Sequence, residues 1–250
     1  MIGRQVLVAG MTAFIGLTFA ASASAQTTAN TWNGLYFGGA IEFIRGTGDT
    51  AFDPLPDPAT FVSLRPTTVA LAHHDVTGRV LAGFNFTHRQ FLVGADGDYS
   101  FRSLEADGSV SPILRNDGSV FPGTGSLNAS QRQQGLVTAK VRAGMIIGPA
   151  LAYGSIGVAV GHVNYAALAD YPARDYAVDY GVNKVGWTAG VGTELRISRV
   201  LRTRFEFRAV DLADEVAVGQ AVPSDPIRQE IQFTWKTKSY DFSAGLVFRF

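Results

Sequence analysis

The chain has 250 residues, no Cys, and 21 Lys+Arg against 21 Asp+Glu, a formal net charge of zero at pH 7. This balance argues against nucleic acid as a partner, and the missing thiols exclude disulfides and thiolate-held metal. Gly is abundant, at 28 residues, and no apolar stretch of helix length recurs beyond the N-terminal segment, which argues against a soluble α/β domain.

In chain order, Met1 to Ala25 reads as a secretory signal. Arg4 stands in a short basic region, an apolar run follows from Val6 to Ala20, and Ala23-Ser24-Ala25 forms a small-residue cleavage site. The run falls short of the ~20 residues a membrane-spanning helix needs, so the mature chain is expected to start near Gln26 and to form one domain over 26–250. Period-two alternation bounded by turn residues then predicts strands near 33–45, 76–87, 91–103, 135–147, 151–163, 184–197, 201–212 and 236–250. The joins at His88-Arg89-Gln90, Gly148-Pro149-Ala150 and Ser198-Arg199-Val200 are tight. The segments around 46–75, 104–134, 164–183 and 213–235 read as long loops holding most of the Pro. An even number of strands, with short turns at one end and long loops at the other, is the pattern of an up-and-down antiparallel transmembrane β-barrel of eight strands.

Side-chain parity assigns faces, because residues i and i+2 share a side of a strand. Phe91, Val93, Ala95, Tyr99 and Phe101 oppose Asp96, Asp98, Ser100 and Arg102. Val137, Ala139, Val141, Ala143, Met145 and Ile147 oppose Thr138, Lys140 and Arg142. Trp187, Ala189, Val191 and Leu195 oppose Thr188, Gly190, Gly192 and Glu194, and Phe205 and Phe207 oppose Arg204, Glu206 and Arg208. Strand five, with Ile156, Val158 and Val160 among Gly154, Gly157 and Gly161, is apolar on both parities and takes no orientation. The chain finishes on alternation, with Tyr240, Phe242, Leu246, Phe248 and Phe250 on one face. A strand of this kind, aromatic at its last residue, is expected to close the barrel and to carry the C-terminal assembly signal.

Two architectures of opposite polarity satisfy this pattern. In a soluble lipocalin-like barrel the apolar face lines a pocket and the charges meet water; in a membrane barrel the apolar face meets lipid and the charges fill the lumen. Frequent Gly on the polar face, the final Phe, and aromatic residues near strand ends (Trp32, Tyr36, Phe37, Trp187, Tyr240, Phe248, Phe250), which read as an interfacial girdle, favour the membrane form.

The segments Thr31-Trp-Asn-Gly-Leu-Tyr-Phe-Gly-Gly-Ala40, Gly94-Ala-Asp-Gly-Asp-Tyr-Ser100, Gly186-Trp-Thr-Ala-Gly-Val-Gly-Thr-Glu194 and Arg204-Phe-Glu-Phe-Arg-Ala-Val-Asp-Leu212 resemble the small OmpA-like, porin-family outer-membrane proteins of Gram-negative bacteria, often called outer-membrane immunogenic proteins. The resemblance covers all the expected strands. It implies an eight-stranded barrel in the outer membrane, insertion assisted by the barrel-assembly machinery, and roles that range over structural protein, antigen, adhesin, small porin and haemin binder. Ala209 stands where the family usually has Tyr, and the first two long loops are Pro-rich, so loop specificity does not carry over.

Candidate functional residues fall in three places. Glu42, Arg79, Asp96, Asp98, Lys140, Arg142, Glu194, Arg204, Glu206, Arg208, Asp241 and Arg249 are expected to form a lumen charge network, structural if the members pair and pore-lining if they do not. The segments 46–75 and 104–134 carry Phe52, Leu55, Phe61, Leu64, Ile113, Leu114 and Phe121 and suit contact with a surface partner. His73-His74-Asp75 offers imidazole and carboxylate ligands, although adjacent His side chains point to opposite faces of a strand. No cofactor or metal is expected. No Gly-x-Ser-x-Gly and no Ser-His pairing stands out, and His162 is the one His inside an expected strand, so no catalytic residue is assigned. The functional expectation is a structural or surface-interaction role, antigen- or adhesin-like, with a narrow porin as alternative and haemin or ligand binding through loops as a second. Oligomeric state is left open.

Overall fold

The computed structural model describes residues 31–55, 65–115, 117–120, 125–171, 174–222 and 230–250; the expected signal segment lies outside them. Eight strands are hydrogen-bonded in chain order into a closed antiparallel barrel. They are β1 (Gly34–Pro54), β2 (Thr67–His88), β3 (Phe91–Val110), β4 (Ser126–Ile147), β5 (Ala150–Tyr171), β6 (Arg174–Arg196), β7 (Leu201–Val222) and β8 (Glu230–Arg249). At the near end β2 turns into β3 through Arg89-Gln90, with Arg89 at φ 57°, and β4 into β5 through Gly148-Pro149, with Gly148 at φ 61°. That left-handed conformation costs Gly nothing. Closure comes from β8 running antiparallel to β1, from Tyr36 opposite Arg249 to Pro54 opposite Ile231. Phe37 stacks on Phe248 and Phe250, with ring centroids 5.5 and 5.2 Å apart.

In the near half the apolar parity faces outward. Val93, Val141, Ile156, Val191, Phe207 and Phe242 expose between 46 and 64% of their surface, as a belt meant for lipid does. The belt settles strand five: Ile156, Val158 and Val160 point out, while Ser155, Gly157, Ala159 and Gly161 point in. A Cβ at Gly157 would sit 2.1 Å from the Ala139 carbonyl oxygen, so only Gly lets β5 approach β4 this closely. Two girdle assignments need correction. Trp32 is wholly buried across the near mouth with Leu92, Ile146, Leu151 and Tyr153. Tyr36 points inward and donates to Asp96 Oδ2 at 3.0 Å. Tyr36 falls on the inward side of β1 and Trp32 in the turn just before it, which proximity to a strand end alone does not reveal.

The strands also run well past the expected boundaries. Much of 46–75, 104–134, 164–183 and 213–235, read as loops, continues the barrel wall. Here the ladder divides. β2 and β3 are paired only from His88–Phe91 up to Arg79–Ser100, and β6–β7 pairing lapses between Ala177 and Gly186. Pairing persists along β3–β4–β5–β6 and along β7–β8–β1–β2. Over most of the far half the wall is therefore two four-stranded sheets, rejoined at the end where Asp175–Ala177 pair with Gln220–Val222, facing each other over an apolar core that includes Phe52, Leu71, Leu127, Val163, Tyr165, Phe233 and Trp235. Tyr165 of one sheet meets Trp235 of the other at 5.1 Å between centroids, and Gln131 Nε2 crosses to donate to Thr237 Oγ1 at 2.8 Å. One seam is narrow: a Cβ on Gly108 of β3 would lie 2.7 Å from the Ala70 carbonyl oxygen of β2.

Phe52 and Ile113, read as loop residues open to a partner, are buried in this core; Phe61, Leu64 and Phe121 lie outside the described residues. The inward parity carries apolar residues in the far half and charges in the near half, so the far strands alternate with the opposite sense.

Two outcomes are expected. Trp235→Ala should lower unfolding stability by about 3–5 kcal/mol, the usual cost of emptying a large aromatic site, read from urea titration of the refolded barrel. Burial pushes the Tyr165 hydroxyl from 10.0 up to about 12, despite its hydrogen bond with Thr237. Burial also raises Tyr180, helped by its contact with the Glu215 carboxylate. Because both shifts favour the neutral phenol, the stability they contribute is complete below pH 10 and is lost as the pH climbs towards the folded values. Phenolate absorbance of Tyr165→Phe against the parent, titrated from pH 9 to 12.5, should show the loss of a late-ionising group.

Candidate functional site in the barrel interior

Inward positions of the near half are crowded, since eight strands enclose space only for side chains. The charges there meet as stacked layers. Nearest the mouth, Arg202 lies over the Trp32 ring at 4.3 Å and donates to the Thr31 carbonyl at 2.5 Å. Glu194 accepts from Arg142 Nη1 at 2.5 Å and from Arg202 Nη1 at 3.5 Å. Arg142 is held between the Tyr36 and Tyr153 rings, 4.9 Å from each centroid, and also donates to Asn85 Oδ1 at 2.8 Å. One layer up, Glu206 receives Lys140 Nζ at 2.8 Å, Arg79 Nη2 at 3.2 Å and Arg204 Nη2 at 3.0 Å, while Arg204 also reaches Asp96 at 2.7 Å. Above that, Arg208 binds three carboxylates: Glu42 at 2.6 Å, Asp98 at 2.8 Å and Asp241 at 2.9 Å. Arg102 closes the top on Asp241 at 2.7 Å and Glu42 at 3.3 Å, and the Ser100 hydroxyl donates to Glu42.

These groups are almost wholly out of reach of water. Glu42 and Glu194 are 0% exposed, and Arg208 and Asp241 are 1%. Burial of an ion is tolerated where its charge is compensated, which this arrangement does by giving each carboxylate more than one cation, although Arg79 Nε and Nη1, Arg204 Nη1, Asp96 Oδ1 and Asp241 Oδ1 are buried without a hydrogen bond. Arg supplies most of the cations because its planar fork can serve several oxygens at once. Arg208 Nη1, Nη2 and Nε each go to a different acid.

The interior brings together Glu42, Arg79, Asp96, Asp98, Lys140, Arg142, Glu194, Arg204, Glu206, Arg208 and Asp241. Arg249 is the exception: it is half-buried at the near end, and its Nε donates to the Asn33 carbonyl at 2.6 Å, outside the ion-pair network. On β8 the last inward position is already at the mouth. Arg102 and Arg202 belong to the network and were omitted, although each shares the parity of an assigned neighbour, Asp98 and Arg204. Tyr153 donates to Glu206 at 3.4 Å and accepts from Arg204 Nε at 2.7 Å. Nothing in its local sequence singles it out, because strand five is apolar on both parities. Tyr240, Phe242, Leu246, Phe248 and Phe250 all face outward on the closing strand.

The His motif does not converge. His73 is turned inward against Gly46, where an added Cβ would lie 1.8 Å from its ring, and His74 is exposed on the other face. His162 pairs with Asn183 at 2.9 Å. Among the described residues no group of three or more His, Asp or Glu side chains is arranged to hold a metal ion.

Arg208→Ala would leave three carboxylates facing a gap and is expected to cost about 3–5 kcal/mol. Arg249→Ala, which removes one hydrogen bond at the mouth, is expected to cost about 1 kcal/mol. Urea unfolding of the two variants, followed by Trp fluorescence, ranks them; equal losses would dissolve the distinction between network and mouth.

A family model described as the outer membrane protein beta-barrel domain matches residues 13–250. The 22 kDa outer membrane protein of Rhizobium leguminosarum bv. viciae is 25% identical over 184 residues, 73% of this chain, and the match spans 65% of that relative's length, just under two thirds. Among solved structures, the outer membrane protease OmpT of Escherichia coli superposes with a TM-score of 0.52 at 9% identity, covering 86% of this chain and 96% of that one. The outer membrane protein OprG of Pseudomonas aeruginosa gives 0.47 at 12% identity, covering 84% and 96%. At these identities the structural likeness is one of fold. With an outward apolar belt, an inward charge network and a family match over nearly its whole length, the chain belongs to the outer membrane protein beta-barrel family and resides in the bacterial outer membrane.

Proposed function

We propose that this barrel is non-conducting and non-catalytic, and that its role is structural or surface-interactive, exercised through the outward surface of the far half. The supporting observation is an interior occupied at every level: Trp32 at the near mouth, the ion-pair layers through the belt, and the two-sheet apolar core above. A path for solute would have to separate carboxylates and guanidiniums held 2.5–3.3 Å apart and then cross packed aromatic rings. Family geometry places short turns towards the periplasm, so the extended half stands outside the cell. Its outward residues are largely polar, among them Arg45, Thr47, Asp49, Glu105, Asp107, Arg132 and Asp179. Such a surface suits contact with solutes, glycans or proteins better than passage through the middle. The aromatic C-terminal strand is assigned the role of assembly signal, because β8 supplies the final ladder that closes the ring against β1.

The folded barrel is expected to be silent in a planar lipid bilayer. Discrete openings that change when Arg208 or Glu194 is neutralised would replace this reading with that of a narrow pore whose filter is the charge network.

A further inference from the structure

We infer that the outward face of β8, β1 and β2, at the upper margin of the apolar belt, seats the phosphorylated headgroup of an outer-leaflet glycolipid. A groove of about 620 Å³ lies there, with Phe43, Phe207, Tyr240 and Phe242 on its belt side and Arg45 and His74 above. Arg45 stands directly opposite His74 on β2 and opposite Tyr240 on β8. Cross-strand neighbours have Cβ atoms only ~5 Å apart, so the Arg45 and His74 side chains stand side by side and both line the groove above the aromatic wall. Phe207 and Tyr240 are stacked with centroids 6.3 Å apart and form a flat apolar side.

The polar groups are available. Arg45, a permanent cation, and His74, a ring N–H donor, are exposed and have no ion pair or hydrogen bond among the described residues. Lys238, the next outward residue of β8, carries one contact to Asp211 at 3.1 Å with 47% of its side chain exposed. The opposite flank carries Glu105, Asp107 and Asp179 outward, with Arg132 directly opposite Glu105. Phosphate monoesters on a lipid supply the anionic, oxygen-rich partner that an Arg fork binds best, and the attached acyl chains would cover aromatic rings that a free phosphate would leave bare. The groove floor is continuous with the lipid-facing belt, through Phe43 and Phe242, which is why the lipid source is assigned. The inference rests on the orientation argued above and not on whether the lumen conducts.

The test uses the full-length refolded barrel in detergent, with bis-phosphorylated lipid A titrated and its retention followed by native mass spectrometry. Dephosphorylated lipid A and inorganic phosphate serve as parallel probes. Phosphorylated lipid A should be retained, and the paired substitution R45A/K238A should weaken retention about tenfold, consistent with two cations near a charged lipid surface. R132A, an exposed base elsewhere on the far half, should leave it unchanged, and R45K with Lys238 intact should restore most of it. Heat-modifiable migration on a gel reports that each variant is folded. Equal retention by R45A/K238A, equal retention of the dephosphorylated lipid, or displacement by equimolar inorganic phosphate would each overturn the assignment; the first two mean apolar packing alone, the third a free-anion site.

Discussion

The constraint on which the rest depends is that lipid surrounds the near half of the barrel. With a hydrocarbon solvent outside, every backbone group must be paired in the ladder, every outward side chain must be apolar, and polar side chains are driven into a lumen too narrow to hydrate them freely. The layered ion pairs answer that constraint. Arg208 on three carboxylates and Glu206 beneath three cations leave no charge to face its like unneutralised, and the layers bind strands distant around the ring. Arg102 of β3 meets Asp241 of β8, and Arg142 of β4 meets Glu194 of β6. The network is thus a set of cross-braces between strands.

Above the belt the outside is no longer hydrocarbon, and the same wall changes strategy. An apolar interior becomes favourable because it is removed from water, and the hydrogen-bonded ring relaxes into two sheets whose inner faces touch. The lapse of pairing between β2 and β3 and between β6 and β7 brings opposite walls close enough for Tyr165 and Trp235 to meet. A round cross-section would leave a void there. At the β6–β7 seam, side chains take over from the ladder: Lys184 Nζ reaches the Asp214 carbonyl at 2.9 Å and the Glu215 carboxylate at 2.5 Å, and Tyr180 donates to Glu215 at 3.0 Å.

The proposed function follows from which surfaces remain. A barrel filled by charge in the belt and by aromatic rings above it is read as offering partners its outside. Arg45 and Lys238 on β1 and β8, and Glu105, Asp107 and Asp179 on β3 and β6, are separate features of one exposed wall.

The period-two pattern was strong enough to reveal strand number, antiparallel order, the outward face of the belt and most of the charge network, because lipid and lumen impose opposite demands on alternate residues. In β8 the alternation runs unbroken, but its apolar positions pass from odd (Ile231, Phe233, Trp235) to even (Tyr240, Phe242) where the environment outside changes from water to lipid. Read as sequence, that inversion looks like the end of a strand, and so the far half was taken for loops. Arg249 shares the parity of the network but lies at the mouth, and Tyr153 joins it from a strand apolar on both faces; parity gives a side, not a depth. Alternation along the chain by itself determined which residues face inward over the near half of the third, fourth, sixth, seventh and eighth strands. Which of them meet, at what depth, and whether the interior is ionic or apolar were decided only when the ring closed, because those properties depend on what surrounds each level of the wall.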